Sequence, residues 1–443
     1  MSPPIQRCVR SLPTALALTL AACAGPAPER EPLDVAGALT RLDKLASAPS
    51  DTTAPASFDL ADGVSIEEAV SFAVARHPAL LAARAQLGVA QALVVEAGLW
   101  PDPTIAWSAV DWLVGGTSDD VLTGFSLNWN NPRPGERKAR IAQARAEEQV
   151  ARAQVLEAEW RLVRDVESAW MSAAELGSRL ELAKRRIEAA RETELFLEQA
   201  RSLGAATELD TASARVDRTE LELEAWEVAA QYHDALDALA RRMGLAPRGA
   251  LALQDVARFE SRTASLDAAL DDLRLAARPD VALALASYEV AERELAVAAT
   301  LRGVAVSYVG SALGVTIPWG SRWGEATLAT ALARRTAAAR AFDAACHDAR
   351  AEIEAARGAA ARSRDVAQAA SERFEPLAER LLELAREARA ARSAPADELL
   401  AAQRRALAAL DLVVRARWTA QRTARDFENA LAFRASATQG NRR

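Results

Sequence analysis

The chain has 443 residues, half of them hydrophobic but only 5% aromatic, and a formal net charge of −7. A large compact core needs more big side chains than this, so closely packed, alanine-rich helices are the architecture the composition favours. Acidic and basic residues are interspersed with no long basic stripe, which excludes nucleic acid as the main partner.

In chain order, Arg7 and Arg10 precede a short apolar run, 12–20, and then the small residues Ala21 and Ala22. This is the layout of a signal peptide over 1–22, too short to be a spanning helix. The stretch Leu20-Ala21-Ala22-Cys23 resembles a bacterial lipobox, whose cysteine is lipidated and becomes the first residue of the mature chain. An unmodified exported or internal cysteine is the alternative. Ala24, rather than Asp, points within that resemblance to the outer membrane. Acyl chains contribute roughly 0.8 kcal/mol per buried CH₂, so a multiply acylated Cys23 would anchor firmly. Residues 23–57, rich in Pro, Ala and Ser, read as a lipidated N-terminal tether. The mature chain keeps Cys23 and Cys346, so acylation of the first leaves no disulfide within one chain.

The rest of the chain repeats itself. "ARHPALLAARAQLGVAQALVVEAGL" (75–99) is echoed by "AARPDVALALASYEVAERELAVAATL" (276–301), and "ARSLGAATELDTASA" (200–214) by "ARSAPADELLAAQRR" (391–405). Two copies, 58–247 and 248–436, precede a polar tail, 437–443. In the first, 136–203 lacks proline, and Leu156, Trp160, Val163 and Trp170 recur at steps of four, three and seven, a coiled-coil seam. Sixty-eight helical residues span roughly 100 Å, far more than a compact domain needs. Residues 325–393 give a second rod, interrupted only by Pro376. The shorter helices 79–99 with 206–243, and 280–301 with 396–434, nearly match one long helix per copy. Each unit therefore reads as one long helix antiparallel to two shorter ones stacked on a common axis.

Between the helices of each copy the period changes. Residues 104–130 alternate around Gly115-Gly116, giving a hairpin with strands of about ten residues, the length of a tilted membrane strand. The second copy offers 303–319, rich in Gly, Val and Ile; strands are favoured there over a spanning helix. This hairpin is shorter, because 45 residues separate Pro279 from Gly324 where 57 separate Pro78 from Gly135. A buried, soluble hairpin is the alternative for either copy. Trp107, Trp112, Trp129 and Trp319 bracket the hairpins, as interfacial aromatics do, with ordinary packing as the alternative.

Taken together, "SIEEAVSFAVARHPALLAARAQLGVAQA", Ala169-Trp170, "ARSLGAATELD", "ALARRMGLAP" and "RPDVALALASYEVAERELAVA" resemble the outer-membrane efflux channel family, the TolC-like outer membrane factor lipoproteins. The resemblance covers about 60–435. It implies a mostly α fold with a membrane β-barrel portion: duplicated long-helix coiled-coil units, each with a β-hairpin, in a trimer that forms a 12-helix α-barrel and a 12-strand β-barrel. It also implies a passive channel of a tripartite efflux or type I secretion system, working with a periplasmic adaptor and an inner-membrane pump. A lipid-anchored coiled-coil adaptor is the rival, disfavoured because an adaptor carries one helical hairpin flanked by β-rich domains.

Within the resemblance, the turns at 200–210 and 389–398 are the periplasmic tips. Gly204 can close a helix in the left-handed conformation. Asp210 and Glu398 are candidates for carboxylate rings, with Arg389 and Arg392 holding the gate. The alternative is that both acids merely favour the positive ends of their helices. Ala394-Pro395 stands where the family usually places glycine. Cys346-His347 cannot chelate alone, since neighbouring helical residues point about 100° apart. His77 and His233 read as structural. No phosphate loop, HExxH or nucleophile elbow is present, so neither catalysis nor a cofactor is expected.

Overall fold

The computed structural model describes residues 63–107, 125–245, 251–254, 275–309, 312–317, 319, 322–391 and 395–431. Cys23 with its tether, the hairpin segment 108–124, Arg392 and the tail lie outside them. The chain divides into units Met1–Ala48 and Pro49–Arg443, and all described residues belong to the second.

Helix α1 (Ile66–Arg76) opens with a capping box in which Ser65 and Glu68 satisfy each other's backbone N–H groups. Helix α2 (Pro78–Ala97) starts on a proline, whose missing N–H costs nothing at that position. Strands β1 (Thr104–Trp107) and β2 (Phe125–Asn131) follow. Gly135, at φ 85°, then turns the chain into α3 (Glu136–Ser202), one uninterrupted helix of 67 residues. Helix α4 (Glu208–Met243) completes the first repeat.

The second repeat runs through α5 (Pro279–Thr300), β3 (Ala305–Val309), β4 (Ala312–Thr316), α6 (Glu325–Ala369), α7 (Glu375–Ala391) and α8 (Ala396–Ala430). A π turn, Ala370–Phe374, joins α6 to α7, so the second rod also comprises 67 residues. Its cause is Pro376, which has no N–H for a carbonyl one turn back and whose ring crowds that turn; the wider register makes room without ending the helix.

Ion pairs along the rods show how they lie. Arg84 meets Glu159, and Arg137 Nε donates to the Gly98 carbonyl at 2.7 Å, so α2 runs antiparallel to the first half of α3. Arg218–Glu194, Arg186–Glu224 and Arg242–Asp165 set α4 antiparallel to the second half. The two shorter helices meet end to end: a Cβ at Gly244, just past α4, would lie 3.1 Å from Pro78 Cδ. The second repeat has the same joint, where Arg278, just before α5, donates to the Ala430 carbonyl at the end of α8 at 2.7 Å.

The larger apolar side chains gather beside the first joint. Val64, Ile66, Phe72, Leu80, Val166, Trp170, Leu239 and Met243 form one buried cluster, and the Trp170 indole donates to the Val64 carbonyl at 2.9 Å. Elsewhere the buried positions of the rods are largely alanine, which lets helix axes approach closely.

Candidate functional site

The four strands form one antiparallel sheet in the order β1-β2-β3-β4, so the hairpins of the two repeats are joined through β2 and β3. Its register sorts residues into two sets. Among residues with described side chains, one holds Leu127, Trp129, Asn131, Val306, Tyr308, Leu313 and Val315; the other holds Thr104, Asn128, Asn130, Ala305, Ser307, Gly314 and Thr316. One face is thus apolar and aromatic apart from Asn131, the other small and polar. Among the described strands, β1 and β4 each keep one edge without a partner.

In the first hairpin β1 and β2 flank 108–124, which lie outside the described residues, so the expected ten-residue strands are described only in part; in the second, β3 and β4 have five residues each. Residues 310–311 alone separate β3 from β4. At about 3.4 Å per residue, β3 and β4 reach only ~17 Å, below the ~25 Å apolar band of a membrane barrel. Trp129 packs beside Trp100, with ring centroids 6.4 Å apart, and donates to the Pro101 carbonyl. Trp319 is exposed.

At the opposite end of α3 sits the first tip. Gly204 has φ 74°, and no atom lies within 4 Å of where a Cβ would be, so glycine serves the backbone turn and not a tight fit. Asp210 is the third residue of a capping box: its Oδ2 accepts from the Thr207 N–H at 2.8 Å and from the Thr207 hydroxyl at 2.7 Å. Those two bonds hold the Asp210 carboxyl below its ordinary pKa. In the second tip Glu398 is exposed in the first turn of α8. Arg389 reaches across to Glu192 of α3 at 2.8 Å, so within one chain it clamps the second rod to the first.

Residues not singled out in the sequence supply more of the tip. Glu194 is nearly buried between Arg215 and Arg218, at 3.0 and 2.7 Å. Burial would raise its pKa, but the two guanidiniums outweigh that and hold it below the ordinary carboxylate range. The Thr193 hydroxyl donates to Gln403 Oε1 of α8 at 2.7 Å, and Arg404 pairs with Asp217 of α4.

A second polar cluster sits at the joint of the second repeat, where α3 of the first repeat packs against it. Arg278, 1% exposed, binds Asp280 at 2.7 Å, Glu352 at 2.6 Å and the Ala430 carbonyl, and lies over the Trp160 ring. Arg164 donates to the other Glu352 oxygen, and Trp160 Nε1 to the Asn429 carbonyl. Glu167, fully buried, accepts from Arg425 at 3.1 Å and Asn429 at 2.8 Å. Burial opposes the charge on Glu352, yet the bonds from Arg278 and Arg164 prevail and lower its pKa. Arg278 occupies the position that His77 holds in the first repeat, each directly before the proline that starts a helix. Burial, followed by the nearby Arg242 charge, lowers the His77 pKa.

His347 is exposed and 3.5 Å from Asp348, and among the described residues no cluster of three His, Cys, Asp or Glu side chains is placed to hold a metal.

Paired 67-residue rods bearing a two-faced, open-edged sheet make up a fold similar to that of solved outer-membrane channels. Residues 69–245, the first repeat, match the family described as outer membrane efflux protein. Solved structures agree in fold. The Campylobacter jejuni CmeC outer membrane channel superposes with a TM-score of 0.69 at 16% identity, covering 90% of this chain and 94% of that one. The Neisseria gonorrhoeae MtrE channel in its open state gives 0.66 at 18%, covering 83% and 88%. The Vibrio cholerae outer membrane protein VceC gives 0.63 at 19%, covering 83% and 95%. Comparison with curated proteins gave no match. The resemblance read from the sequence is thus supported: residues 69–245 match the outer membrane efflux protein family, and the chain shares the fold of these channel structures.

Proposed function

We propose that this chain is the outer-membrane channel of a tripartite efflux or type I secretion system. Three copies close a 12-stranded barrel from their four-stranded sheets and a 12-helix tunnel from their rods. A lipid on Cys23 tethers each copy to the same membrane. The channel is passive: an inner-membrane pump supplies energy, and a periplasmic adaptor engages the tips around Gly204 and 389–398 and opens them. Asp210, Arg389, Arg392 and Glu398 belong to that gate region, Asp210 by shaping the turn and Arg389 by tying the rods together.

The observation that carries this reading is the sheet. An apolar face suits lipid, a polar face suits a water-filled lumen, and an unpaired edge cannot remain in hydrocarbon. Closure by further copies satisfies all three conditions. Helix α2 adds support. It is long and apolar enough to cross a bilayer by length and composition, with only 6% of its window buried and with Leu81, Val89, Leu93 and Val95 exposed. In the trimer this face is covered by a neighbouring copy.

Planar-bilayer recording on the purified protein tests the proposal. Stable, trimer-dependent conductance is expected, and a water-soluble monomer without conductance would overturn it. Metabolic labelling with palmitate should mark the wild type and not Cys23→Ala; equal labelling of both would remove the tether.

A further inference from the structure

A cavity of about 730 Å³ lies where the sheet meets the first turns of α3. Four cationic side chains line it, Arg133, Arg137, Lys138 and Arg145, and no acidic one does. Arg133 is engaged by Glu136 and by the Gly303 carbonyl, and Arg137 by the Gly98 carbonyl and the Trp100 ring. Lys138 and Arg145 make no ion pair among the described residues, so their charge is uncompensated there. The remaining wall is mainly apolar, with Trp100, Ile141, Val304 and Val306, and includes the polar Asn131.

Its position gives the charge a meaning. Val306 belongs to the apolar set of the sheet, together with Trp129 and Tyr308. The cavity therefore opens on the face assigned to lipid, at the helical end of the strands. A ligand there meets apolar surface on one side and concentrated positive charge on the other. The start of α3 adds its own favourable field for an anion.

We propose that this cavity holds the phosphate headgroup of an anionic glycerophospholipid from the leaflet facing the helices, with its acyl chains along the apolar face of the sheet. Lys138 and Arg145 bind the phosphate, and Trp100, Val304 and Val306 contact the glycerol and upper chain carbons. Each protomer would thus carry one ordered lipid at the level where the barrel meets the tunnel. The inference rests on the channel reading above, since it needs the sheet to lie in a bilayer.

The test uses the full-length protein, delipidated in neutral detergent. Short-chain phosphatidylglycerol should raise its heat-denaturation midpoint and bind in native mass spectrometry near one molecule per chain. Phosphatidylcholine of equal chain length should do so weakly, and inorganic phosphate at the same concentration should not. The double variant Lys138→Ala/Arg145→Ala should bind phosphatidylglycerol at least tenfold more weakly. Should that variant fold poorly by circular dichroism, Val304→Trp fills the apolar wall with every cation kept and should lose the lipid as well. Undiminished lipid binding in either folded variant overturns the proposal. So does an equal response to inorganic phosphate, which marks a simple anion site, or lipid binding only after Cys23→Ala, which marks the chain's own acyl group as the occupant. Wild-type conductance is recorded alongside: its absence sinks the channel reading itself, whereas conductance without a phosphatidylglycerol response sinks this site alone.

Discussion

The joint between the shorter helices of the second repeat hangs on single side chains. Arg278 is buried against two carboxylates and a helix-terminal carbonyl, so Arg278→Ala strands acceptors that water cannot easily reach. Arg164 still serves Glu352, which limits the damage to about 2–3 kcal/mol. Denaturant titration of the detergent-solubilised protein reads this loss, and Arg278→Met, which keeps contact with Trp160, should lose less. The carboxylates also set a pH dependence. Glu194 and Glu352 have folded pKa values below the ordinary glutamate 4.5, so their stabilisation is fully present above about pH 4.5. It is lost as pH falls through the lower folded values. Hydrogen exchange near Glu194 should therefore quicken in acid, and Glu194→Gln should flatten that dependence while weakening the tip at neutral pH. At the turn itself, Gly204→Ala forces a side chain into a left-handed conformation and should cost about 1 kcal/mol, with no steric clash to add.

Elements differ in how plainly their residues announce them. The long helices follow from a proline-free seam with regular apolar steps, and the rods of 67 residues lie within two residues of the expected bounds. The capping box at Thr207 and Asp210 was also visible, as a Thr three residues before an acid, although the acid drew attention as a charge instead. Other features have no local signature. Arg278 and Glu352 are 74 residues apart, and Glu167 and Arg425 are 258 apart, so no spacing rule brings them together. The pairing of β2 with β3 is likewise a tertiary fact, with a register that hairpin patterning alone does not fix. That register makes the sheet testable by neighbouring positions. Val315→Arg places charge on the apolar face and should cost about 2–4 kcal/mol, blocking barrel assembly. Thr316→Lys, one residue on, faces the polar side; it should assemble and shift bilayer currents toward anions. Equal tolerance of both would mean the faces are misassigned.

For the molecule as a whole, the proposed channel predicts that removing 104–130 abolishes conductance while far-UV circular dichroism retains the helical signal of the rods. Persistent conductance would place the pore elsewhere. The edges of β1 and β4 carry a further implication. A solitary copy would face hydrocarbon with two rows of unsatisfied peptide groups, so insertion and assembly must be a single concerted event with no stable half-built ring. In the proposed trimer, one crippled copy therefore disables its two sound companions. A cell making equal amounts of intact and strand-deleted chains would then lose far more than half its working pores.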